Sequence, residues 1–499
     1  MSPSRAHAQP ETVAAVELGS NSFRLQVGRV VGHQIYPLDG LKESVRLAAG
    51  LTADKQLDDA SQRRGLDALA RFGQRLRGFA PETVRAVATN TLRVAKNAPG
   101  FLSRAEEALG FPIEVIAGRE EARLIYLGVA HTLANPARQQ LVVDIGGGST
   151  EFIIGRAIEP IALESLYMGC VSFSLKYFPG GRVDKRAFKE AELAARRELQ
   201  TITAAYTGIG WDEAIGSSGS AKSIVDILEA SGWSTHGITR EGMGRLRDAL
   251  IEAGDVNRLR LPGLRSDRLP VLPGGLAIMS AVFKEFELAH MEFSEGALRL
   301  GVLYDLLGRY HHEDLREATA ARFMQRYEVD ARQAARVVAT ALELLHQLVP
   351  ATRDEDNPDA HFLAWAARLH EIGISVAHSS YHKHSAYIIA NADMPGFSRR
   401  DQARLSRLVL AHRGKLERAQ PLPGEAADWT LIFCLRIAVL LHRSREDKAP
   451  PAARAAFTSR GFSLGFPEKA LDETPLTAAV LAEEADQWAS VGGELILRY

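Results

Sequence analysis

Two segments with the same order of residue types could carry phosphate chemistry. AAVELGSNS (14–22) and LVVDIGGGS (141–149) each run from an apolar strand into a carboxylate, Glu17 or Asp144, and then into an apolar residue, a glycine and small residues. Strand-like sequence follows each of them, FRLQV and EFIIG. The glycine-rich loops of P-loop and dinucleotide-binding proteins open a helix instead. The pattern therefore excludes both of those nucleotide sites and predicts two glycine-rich hairpins.

A glycine-rich hairpin tip suits phosphate, because glycine lets the backbone bring its N–H groups close to the oxygens. Carboxylates beside bare phosphate would repel it, so Glu17 and Asp144 call for a cation, most simply Mg²⁺ with its waters. Two facing hairpins could hold one phosphate chain from both sides of a cleft. The alternative is that the glycines only serve tight turns. The candidate phosphate-binding residues of the two tips are Ser20, Asn21, Ser22, Gly146, Gly147, Gly148, Ser149 and Thr150.

Hydrolysis of a phosphoanhydride also needs a base for the attacking water and positive charge on the phosphoryl oxygens. Glu121 begins a predicted helix just after a strand, and Glu151 follows the second loop directly. Arg93 also follows a strand and could clamp a phosphate with its fork of donors; Arg268 is a weaker candidate of the same kind. The alternatives are helix capping for Glu121 and a surface ion pair for Arg93.

Apolar periodicity predicts the elements that must position these residues. Strands are expected on both sides of the Gly19–Ser22 turn, at 84–89 and at 111–118, with helices at 57–79 and from Arg119 to about Leu133. Residues 312–448 are rich in Ala, Leu, Arg and His at helical spacing and read as nearly all helix, interrupted at LPGEAADW (422–429). The tail is expected to be a small α+β piece. Boundaries are predicted at Asn135-Pro136 and at Lys448-Ala449-Pro450-Pro451.

Composition restricts the class of protein. A chain of 499 residues is too long for one core and predicts three or four domains. The formal net charge of -1 says nothing about partners. Two cysteines, Cys170 and Cys434, lie far apart and argue against a zinc module or a disulfide framework. No secretory signal and no membrane-spanning run is recognisable, so a cytoplasmic location is expected.

The paired loops resemble the phosphate loops of the actin, sugar-kinase and heat-shock-chaperone superfamily. Within it, the chain resembles the exopolyphosphatase / guanosine pentaphosphate phosphohydrolase (Ppx/GppA) family, which implies two actin-like (ribonuclease H-like) α/β domains facing a cleft, an all-helical HD-like domain and a small α+β domain. The corresponding ranges are 1–135, 136–310, 311–448 and 449–499. The matching segments are ELGSNSF (17–23), TNTLR (89–93), GREEARLIYLGV (118–129), DIGGGSTEF (144–152), MGCVSF (168–173), GSSGS (216–220), LPGGLAI (272–278), EGALRLGVL (295–303) and HSSYHKHSAYII (378–389).

The resemblance implies Glu121 as catalytic base and Glu151 as its partner. It places Asp144 and Glu17 on the metal side, with Mg²⁺ as cofactor and a monovalent cation such as K⁺ as a further candidate. It also implies a homodimer. YFPGG (177–181) and the third glycine of GGGST resemble the exopolyphosphatase branch. The first hypothesis is accordingly an exopolyphosphatase that releases orthophosphate from the end of inorganic polyphosphate.

The helical region resembles an HD-type domain through His346, the doublet His370-Glu371 and His412. Ala438 and Val439 stand where a later acid would be expected, so no second metallo-hydrolase site is predicted. Basic residues cluster in the same region, either as a solvated helix face or as a channel for a polyanion. The channel candidates are His378, His382, Lys383, His384, Arg413 and Lys415, together with Arg268.

Three other functions stay open at this point. Guanosine pentaphosphate (pppGpp) 5′-phosphohydrolase uses identical chemistry on another substrate. A polyphosphate-binding regulatory protein with little turnover is suggested by Glu17 and Glu295, where the family usually carries Asp, since a displacement of about 1 Å can cost much rate. A kinase of the same superfamily would need an acceptor site and a purine pocket, and the sequence shows no sign of either.

Overall fold

The computed structural model describes residues 10–32, 34–133, 137–310, 315–354, 357–419, 428–447, 449–468, 470–471 and 474–498. Two compact units make up the chain, residues 1–313 and 314–499, and each is described here by itself. The predicted boundary at Asn135-Pro136, Lys448 of the second boundary and most of LPGEAADW lie outside the described residues. The four-domain division stays a prediction.

The first sheet of the N-terminal unit has the strand order β3-β2-β1-β4-β5. β1 and β2 form the first predicted hairpin, with Leu18 opposite Phe23, and β4 lies parallel to β1. The strands are β1 Thr12–Leu18, β2 Phe23–Val31, β3 Gln34–Glu43, β4 Val84–Ala88 and β5 Ile113–Val115. The helices that accompany them are α1 Asp59–Arg75, α2 Asn90–Val94, α3 Ala98–Leu109 and α4 Gly118–Ala130.

The second sheet repeats this plan, with the order β10-β11-β9-β6-β7-β8. A three-stranded meander again comes first, and β9 lies parallel to its first strand. The strands are β6 Gln139–Ile145, β7 Thr150–Arg156, β8 Glu159–Leu166, β9 Glu213–Ser217, β10 Ile238–Thr239 and β11 His290–Phe293. Its helices are α5 Cys170–Tyr177, α6 Lys185–Ile209, α7 Ser218–Ala230, α8 Arg240–Ala253, α9 Leu272–Glu285 and α10 Leu298–Tyr310.

Helix α10 packs against α4 and against β1 of the first sheet, although the sequence places it in the second half of the unit. Two glycines make this close approach feasible. A β-carbon at Gly301 would lie 1.7 Å from the Leu124 carbonyl oxygen, and one at Gly128 would lie 2.2 Å from that of Ala297. Val302 and Leu303 of α10 accordingly share a core cluster with residues of β1 and α4.

A buried ionic network ties the same helices to the first sheet. Asp305 of α10 accepts from Arg85 of β4 at 2.5 Å and from Arg123 of α4 at 2.5 Å. Arg123 also binds both oxygens of Glu120, at 2.8 and 2.7 Å, and Arg85 binds Glu114 at 2.9 Å. The Arg85 side chain is 2% exposed. The charges are therefore matched inside the unit rather than solvated.

The C-terminal unit is mainly helical, as predicted for residues 312–448. Its helices are α11 Leu315–Arg326, α12 Ala331–Leu348, α13 Pro358–Leu369, α14 Tyr381–Asn391, α15 Arg399–Ala411, α16 Trp429–Leu441 and α17 Pro475–Ser490. A small sheet of order β12-β13-β14 joins them through β12 Arg454–Phe457, β13 Gly461–Gly465 and β14 Glu494–Arg498.

The tail does not have a core of its own. Phe462 of β13 stacks on Phe433 of α16 with ring centroids 4.2 Å apart, and Arg436 of α16 binds both oxygens of Glu484 of α17 at 2.6 Å. One cluster of buried apolar residues runs from α12 to β14. The α+β character of the tail follows the prediction, but its packing makes it part of the helical body.

Several predicted element ends differ from the observed ones. The helix expected at 57–79 spans 59–75, and the strand expected at 111–118 is only Ile113–Val115, because α4 already begins at Gly118. Among the described residues, no helix has the length and apolarity to cross a membrane. Short 3-10 helices complete the description, at Leu47–Gly50, Pro81–Thr83, Pro179–Gly181, Val256–Arg258, Leu269–Val271, Pro350–Arg353, Ile372–Ser375 and Leu416–Ala419.

Candidate active site

The tips of the two predicted hairpins meet. A β-carbon at Gly147 would lie 2.9 Å from the β-carbon of Ser20 and 3.2 Å from the backbone nitrogen of Asn21. Helix α5 holds the second loop from behind, since the N–H groups of Cys170 and Val171 donate to the carbonyls of Gly146 and Gly147 at 2.9 and 3.0 Å. Because a peptide N–H points opposite to its carbonyl, the amides of those peptide units point away from α5.

The two tips line a cavity of about 270 Å³ in the N-terminal unit. Most of the predicted site residues contribute to its wall. These are Glu17, Ser20, Asn21, Ser22, Glu121, Asp144, Gly146, Gly147, Ser149 and Arg268. The prediction that distant segments converge on one site therefore agrees with the geometry.

Two predicted phosphate-binding residues, Thr150 and Gly148, are not among the residues that line the cavity. Thr150 is fully buried, and its hydroxyl donates to the Met168 carbonyl at 2.6 Å, so it cannot reach a ligand. Gly148 turns toward the first half of the unit, where a β-carbon would lie 2.5 Å from Oδ1 of Asn90. The Thr150 side chain therefore shapes the loop. The N–H of Gly148 belongs to the peptide unit whose carbonyl accepts from Val171, so it points away from α5, and its role in binding phosphate stays a prediction.

Glu121 lies on the first turn of α4, with its side chain 9% exposed. Oε2 of Glu121 accepts from Nη1 of Arg93 at 2.9 Å, and the same nitrogen donates to the Ile116 carbonyl. Arg93 thus holds Glu121 and is not among the residues that line the cavity. Its role as a phosphate clamp stays a prediction. Burial raises the pKa of Glu121, and the Arg93 guanidinium opposes that rise.

Glu151 lies behind the second loop at 1% exposure, and Ser165 donates to its Oε1 at 2.8 Å. Burial, and then the neighbouring Glu121, raise the pKa of Glu151 well above its ordinary range. Of these two interacting carboxyls, the one with the arginine partner ionises more readily. The pair therefore has the asymmetry that a general base and a protonated neighbour require.

Asp144 ends β6 and is 3% exposed. Its Oδ2 accepts from the hydroxyls of Ser217 and Ser218, at 2.6 and 2.5 Å. Burial raises the pKa of Asp144, and these two hydrogen bonds oppose the rise. The GSSGS segment, which carries Ser217 and Ser218, was not among the predicted site residues.

Glu17 ends β1, and its Oε2 accepts from Nη1 of Arg299 at 2.6 Å. Glu295, the other position with Glu in place of the usual Asp, accepts from Lys222 at 2.6 Å and is 74% exposed. The longer carboxylate at position 17 is thus matched by an arginine from α10. Position 295 lies at the rim, where one methylene matters less.

Six cationic side chains line the cavity against five carboxylates. Burial and the neighbouring Arg299 lower the pKa of Arg24, and Arg268 adds to the effect. Like charges held together in this way favour a polyanionic ligand. Of these six cations, only Arg268 was predicted as a site residue. Arg299 lies inside the matching segment EGALRLGVL, and Arg24 lies directly after the first loop, so both could have been considered. The cations are Arg24, Lys42, Lys222, Arg265, Arg268 and Arg299.

Within the described parts of the chain, no three histidine, cysteine or carboxylate side chains enclose a space for a metal ion. Glu17 and Asp144 are two of the five carboxylates that line the cavity, and both offer hard oxygen donors. Mg²⁺ commonly takes one or two carboxylates and completes its shell with water and phosphate oxygens. The donor set therefore fits Mg²⁺ brought with a phosphate ligand.

The predicted polyanion channel is only partly at the surface of the C-terminal unit. His382 is 7% exposed and packs 6.2 Å from the ring of His412, so its assignment to the channel is corrected. Arg404, another basic residue of this helical region, donates to Asp428 and Asp359 at 2.8 and 2.6 Å. His384 is half-buried, and the exposed members are His378, Lys383, Arg413 and Lys415.

The residues that resemble an HD site pack together in part. The rings of His370 and His412 lie 5.0 Å apart, and burial lowers the pKa of His370 to about 4. Glu371 binds Arg445, and His346 is half-buried near the end of α12. Ala438 is fully buried. The absence of a second metal centre stays a prediction.

Comparison with known proteins decides the family. The family model described as "Ppx/GppA phosphatase family" matches residues 26–310, and that described as "Ppx/GppA phosphatase, domain III" matches residues 315–485. The chain belongs to the Ppx/GppA phosphatase family. The predicted family and the predicted class of enzyme, a phosphoanhydride hydrolase, are confirmed.

Curated relatives contradict the predicted branch of this family. A protein of Aeromonas hydrophila is 38% identical over 96% of this chain and 97% of its own length, and one of Pseudoalteromonas translucida is 36% identical over 98% and 99%. Both are named guanosine-5'-triphosphate,3'-diphosphate pyrophosphatase. The first hypothesis, an exopolyphosphatase, was therefore wrong, and the alternative agrees better with these relatives.

Solved structures support the fold of the α/β part. The Aquifex aeolicus PPX-GPPA enzyme is 26% identical and superposes with a TM-score of 0.50, over 59% of this chain and 98% of its own. The superposition agrees with the α/β fold that the family resemblance implied.

The residues that misled the branch prediction, YFPGG and the third glycine of GGGST, are not among those that line the cavity. YFPGG ends α5 and forms the turn at Pro179–Gly181, where Gly180 and Gly181 have φ of 66° and 81°. None of its residues lines the cavity. The third glycine of GGGST packs on Asn90. Backbone geometry and packing explain these glycines, so they carry no information about the substrate.

Proposed function

We propose that this protein hydrolyses the terminal phosphoanhydride of guanosine 5′-triphosphate 3′-diphosphate and releases orthophosphate. The observation that carries the proposal is the asymmetric pair of Glu121, which lines the cavity between the two glycine loops, and Glu151, which lies behind the second loop. The chain that holds this pair is 36–38% identical over nearly its whole length to proteins named for that substrate.

In the proposed reaction, the terminal phosphoryl group lies against the loop tips, and Glu121 takes a proton from the attacking water. Water oxygen bonds to phosphorus as the bridging oxygen leaves with the shortened nucleotide. Arg93 opposes the rise in the pKa of Glu121 and so favours its ionised form, whereas Glu151 retains its proton more strongly. Asp144 and Glu17 would hold Mg²⁺, which supplies neutralising charge on the phosphate oxygens. The homodimer and the monovalent cation remain predictions of the family resemblance.

The excess of cations in the cavity supports a ligand with more than one phosphorylated position. Arg268 and Arg299 both lie within electrostatic reach of Arg24. An alarmone with phosphates on both the 5′ and the 3′ oxygen would relieve that repulsion more fully than a nucleoside triphosphate. Charge-assisted hydrogen bonds to the second group would then contribute to substrate preference.

The proposal is tested by phosphate release from guanosine 5′-triphosphate 3′-diphosphate, GTP and long-chain polyphosphate, at equal concentrations of terminal phosphate and with Mg²⁺. We expect kcat/KM for the alarmone to exceed that for GTP by about 10–100-fold, the effect of one charge-assisted hydrogen bond or more. The products should be orthophosphate and guanosine 5′-diphosphate 3′-diphosphate by anion-exchange chromatography. A preference for GTP or for polyphosphate would refute the assignment.

The Arg93–Glu121 pair predicts a pH effect. The base must be ionised, so kcat/KM falls as the pH drops through the raised pKa of Glu121. Because Arg93 opposes that rise, Arg93→Met should move the acidic limb of the kcat/KM profile to higher pH. Arg119→Met is the control, since Arg119 binds Glu164 near the surface and should leave the limb in place. An unmoved limb in Arg93→Met would show that Glu121 is not the titrating base.

A further inference from the structure

Ser218 combines an unfavourable backbone conformation with a contact to Asp144. Its φ is +65°, in the left-handed region that side chains other than glycine rarely adopt. Among the described residues, eight that are not glycine have such a positive φ, and seven of them are exposed. Ser218 is the exception, and it lines the cavity.

The neighbouring sequence shows that glycine is tolerated in this turn, since Gly216 and Gly219 belong to the same GSSGS segment. A β-carbon at Gly219 would lie 1.9 Å from Nη2 of Arg268, so that glycine makes room for a cavity arginine. The space available does not explain serine at position 218. Glycine there would adopt the left-handed backbone with less strain. The reason for serine rather than glycine at position 218 therefore lies in its side chain.

The hydroxyl of Ser218 donates to Oδ2 of Asp144 at 2.5 Å, and Ser217 donates to the same oxygen at 2.6 Å. Ser217 is fixed by its pairing with Asp144 between β9 and β6, whereas Ser218 reaches Oδ2 from a left-handed conformation at the start of α7. Two donors on one oxygen set the rotation of the carboxylate and leave Oδ1 for a cation. Outer contacts of this kind orient metal ligands and tune metal affinity.

We propose that Ser218 is a positioning residue, whose left-handed backbone is maintained to aim its hydroxyl at Asp144 and thereby to set the affinity of the site for Mg²⁺. This inference rests on the proposed function only in taking Asp144 as the metal-side carboxylate. The strain and the hydrogen bond are then two separable properties of one residue.

Two substitutions separate them. Ser218→Ala keeps the strain and loses the hydroxyl, whereas Ser218→Gly loses both. We expect the Gly variant to melt about 1–4 °C above the Ala variant without metal. Both should need about 10–100-fold more Mg²⁺ for half-maximal phosphate release, with kcat at saturating Mg²⁺ changed far less. Ser218→Asn, which tolerates this backbone and offers an amide donor, should recover part of the affinity.

Ala157→Gly is the matched control, because Ala157 has φ +52° in an exposed turn remote from the cavity lining. It should raise the melting temperature over wild type and leave the Mg²⁺ requirement unchanged. The Mg²⁺-induced rise in melting temperature, measured with Mg²⁺ alone, gives a second readout that needs no substrate.

If wild type ignores the alarmone, the proposed function fails while the melting measurements still test Ser218. The inference on Ser218 is overturned if Ser218→Gly keeps both the wild-type Mg²⁺-induced shift and the wild-type Mg²⁺ requirement. It is also overturned if neither the phosphate release nor the melting temperature of the wild-type protein depends on Mg²⁺.

Discussion

Glu121→Gln is expected to lower kcat for guanosine 5′-triphosphate 3′-diphosphate by about 10²–10⁴-fold, the usual contribution of a positioned general base. Stability should hold or rise. The raised pKa of Glu121 means that the folded state binds this proton more tightly than the unfolded state, so at neutral pH the ionised carboxylate opposes folding. A neutral amide removes that penalty, and its oxygen can still accept from Arg93. Single-turnover phosphate release and thermal unfolding measure the two effects.

Glu120→Gln is the matched control for Glu121. The two residues are adjacent on α4, but Glu120 binds Arg123 with both oxygens inside the ionic network. We expect the control to lose stability and to retain most of its turnover at a temperature where it is folded. Retained turnover in Glu121→Gln, or an equal loss in both variants, would remove Glu121 from the role of base.

Asp305→Asn is expected to destabilise the N-terminal unit by about 3–5 kcal/mol, the cost of breaking a buried ionic network. Asp305 is the acceptor shared by Arg85 and Arg123, and asparagine would leave both cations undercompensated. Urea unfolding should show the loss, and hydrogen exchange should localise it to α4, α10 and β4. The exchange measurement is needed because two compact units need not unfold together.

Glu190→Gln is the control for the ionic network. It breaks the Arg186–Glu190 pair, whose side chains are 88% and 54% exposed. No measurable change in unfolding is expected, because solvent screens such a pair. If Asp305→Asn proved equally silent, the arginines would have to be satisfied by other groups, and the rigid link between α10 and the first sheet would be in doubt.

The hairpins and their meeting were predictable because local patterns specify them. Glycines, one acid and an alternating strand define each hairpin, and their duplication at Glu17 and Asp144 indicated a paired site. Long-range side-chain partners were not predictable in this way. Glu17 and Arg299 are 282 residues apart, and nothing in either segment specifies the other. Ser218 was missed because its role depends on a backbone conformation that composition does not encode.

The prediction of the substrate failed for a related reason. A family resemblance predicts the chemistry, because the roles proposed for Glu121, Glu151 and the loops concern the phosphoanhydride that all the candidate substrates share. Substrate choice depends on what lies around that core, such as Arg24 and Lys42, which reach the cavity from β2 and β3. The features used to choose the branch, YFPGG and Gly148, instead satisfy turns and packing.

The packing of α10 on β1 has a consequence for how the protein is made. Leu18 and Leu298 are separated by 280 residues, yet the core cluster on one side of the first sheet includes residues of α10 as well as of α4. At about 5–20 residues per second, the ribosome needs roughly 15 to 60 s to make the intervening chain. During that interval α10 cannot yet pack against the apolar face of β1. Nascent chains shorter than about 310 residues should therefore depend on chaperones.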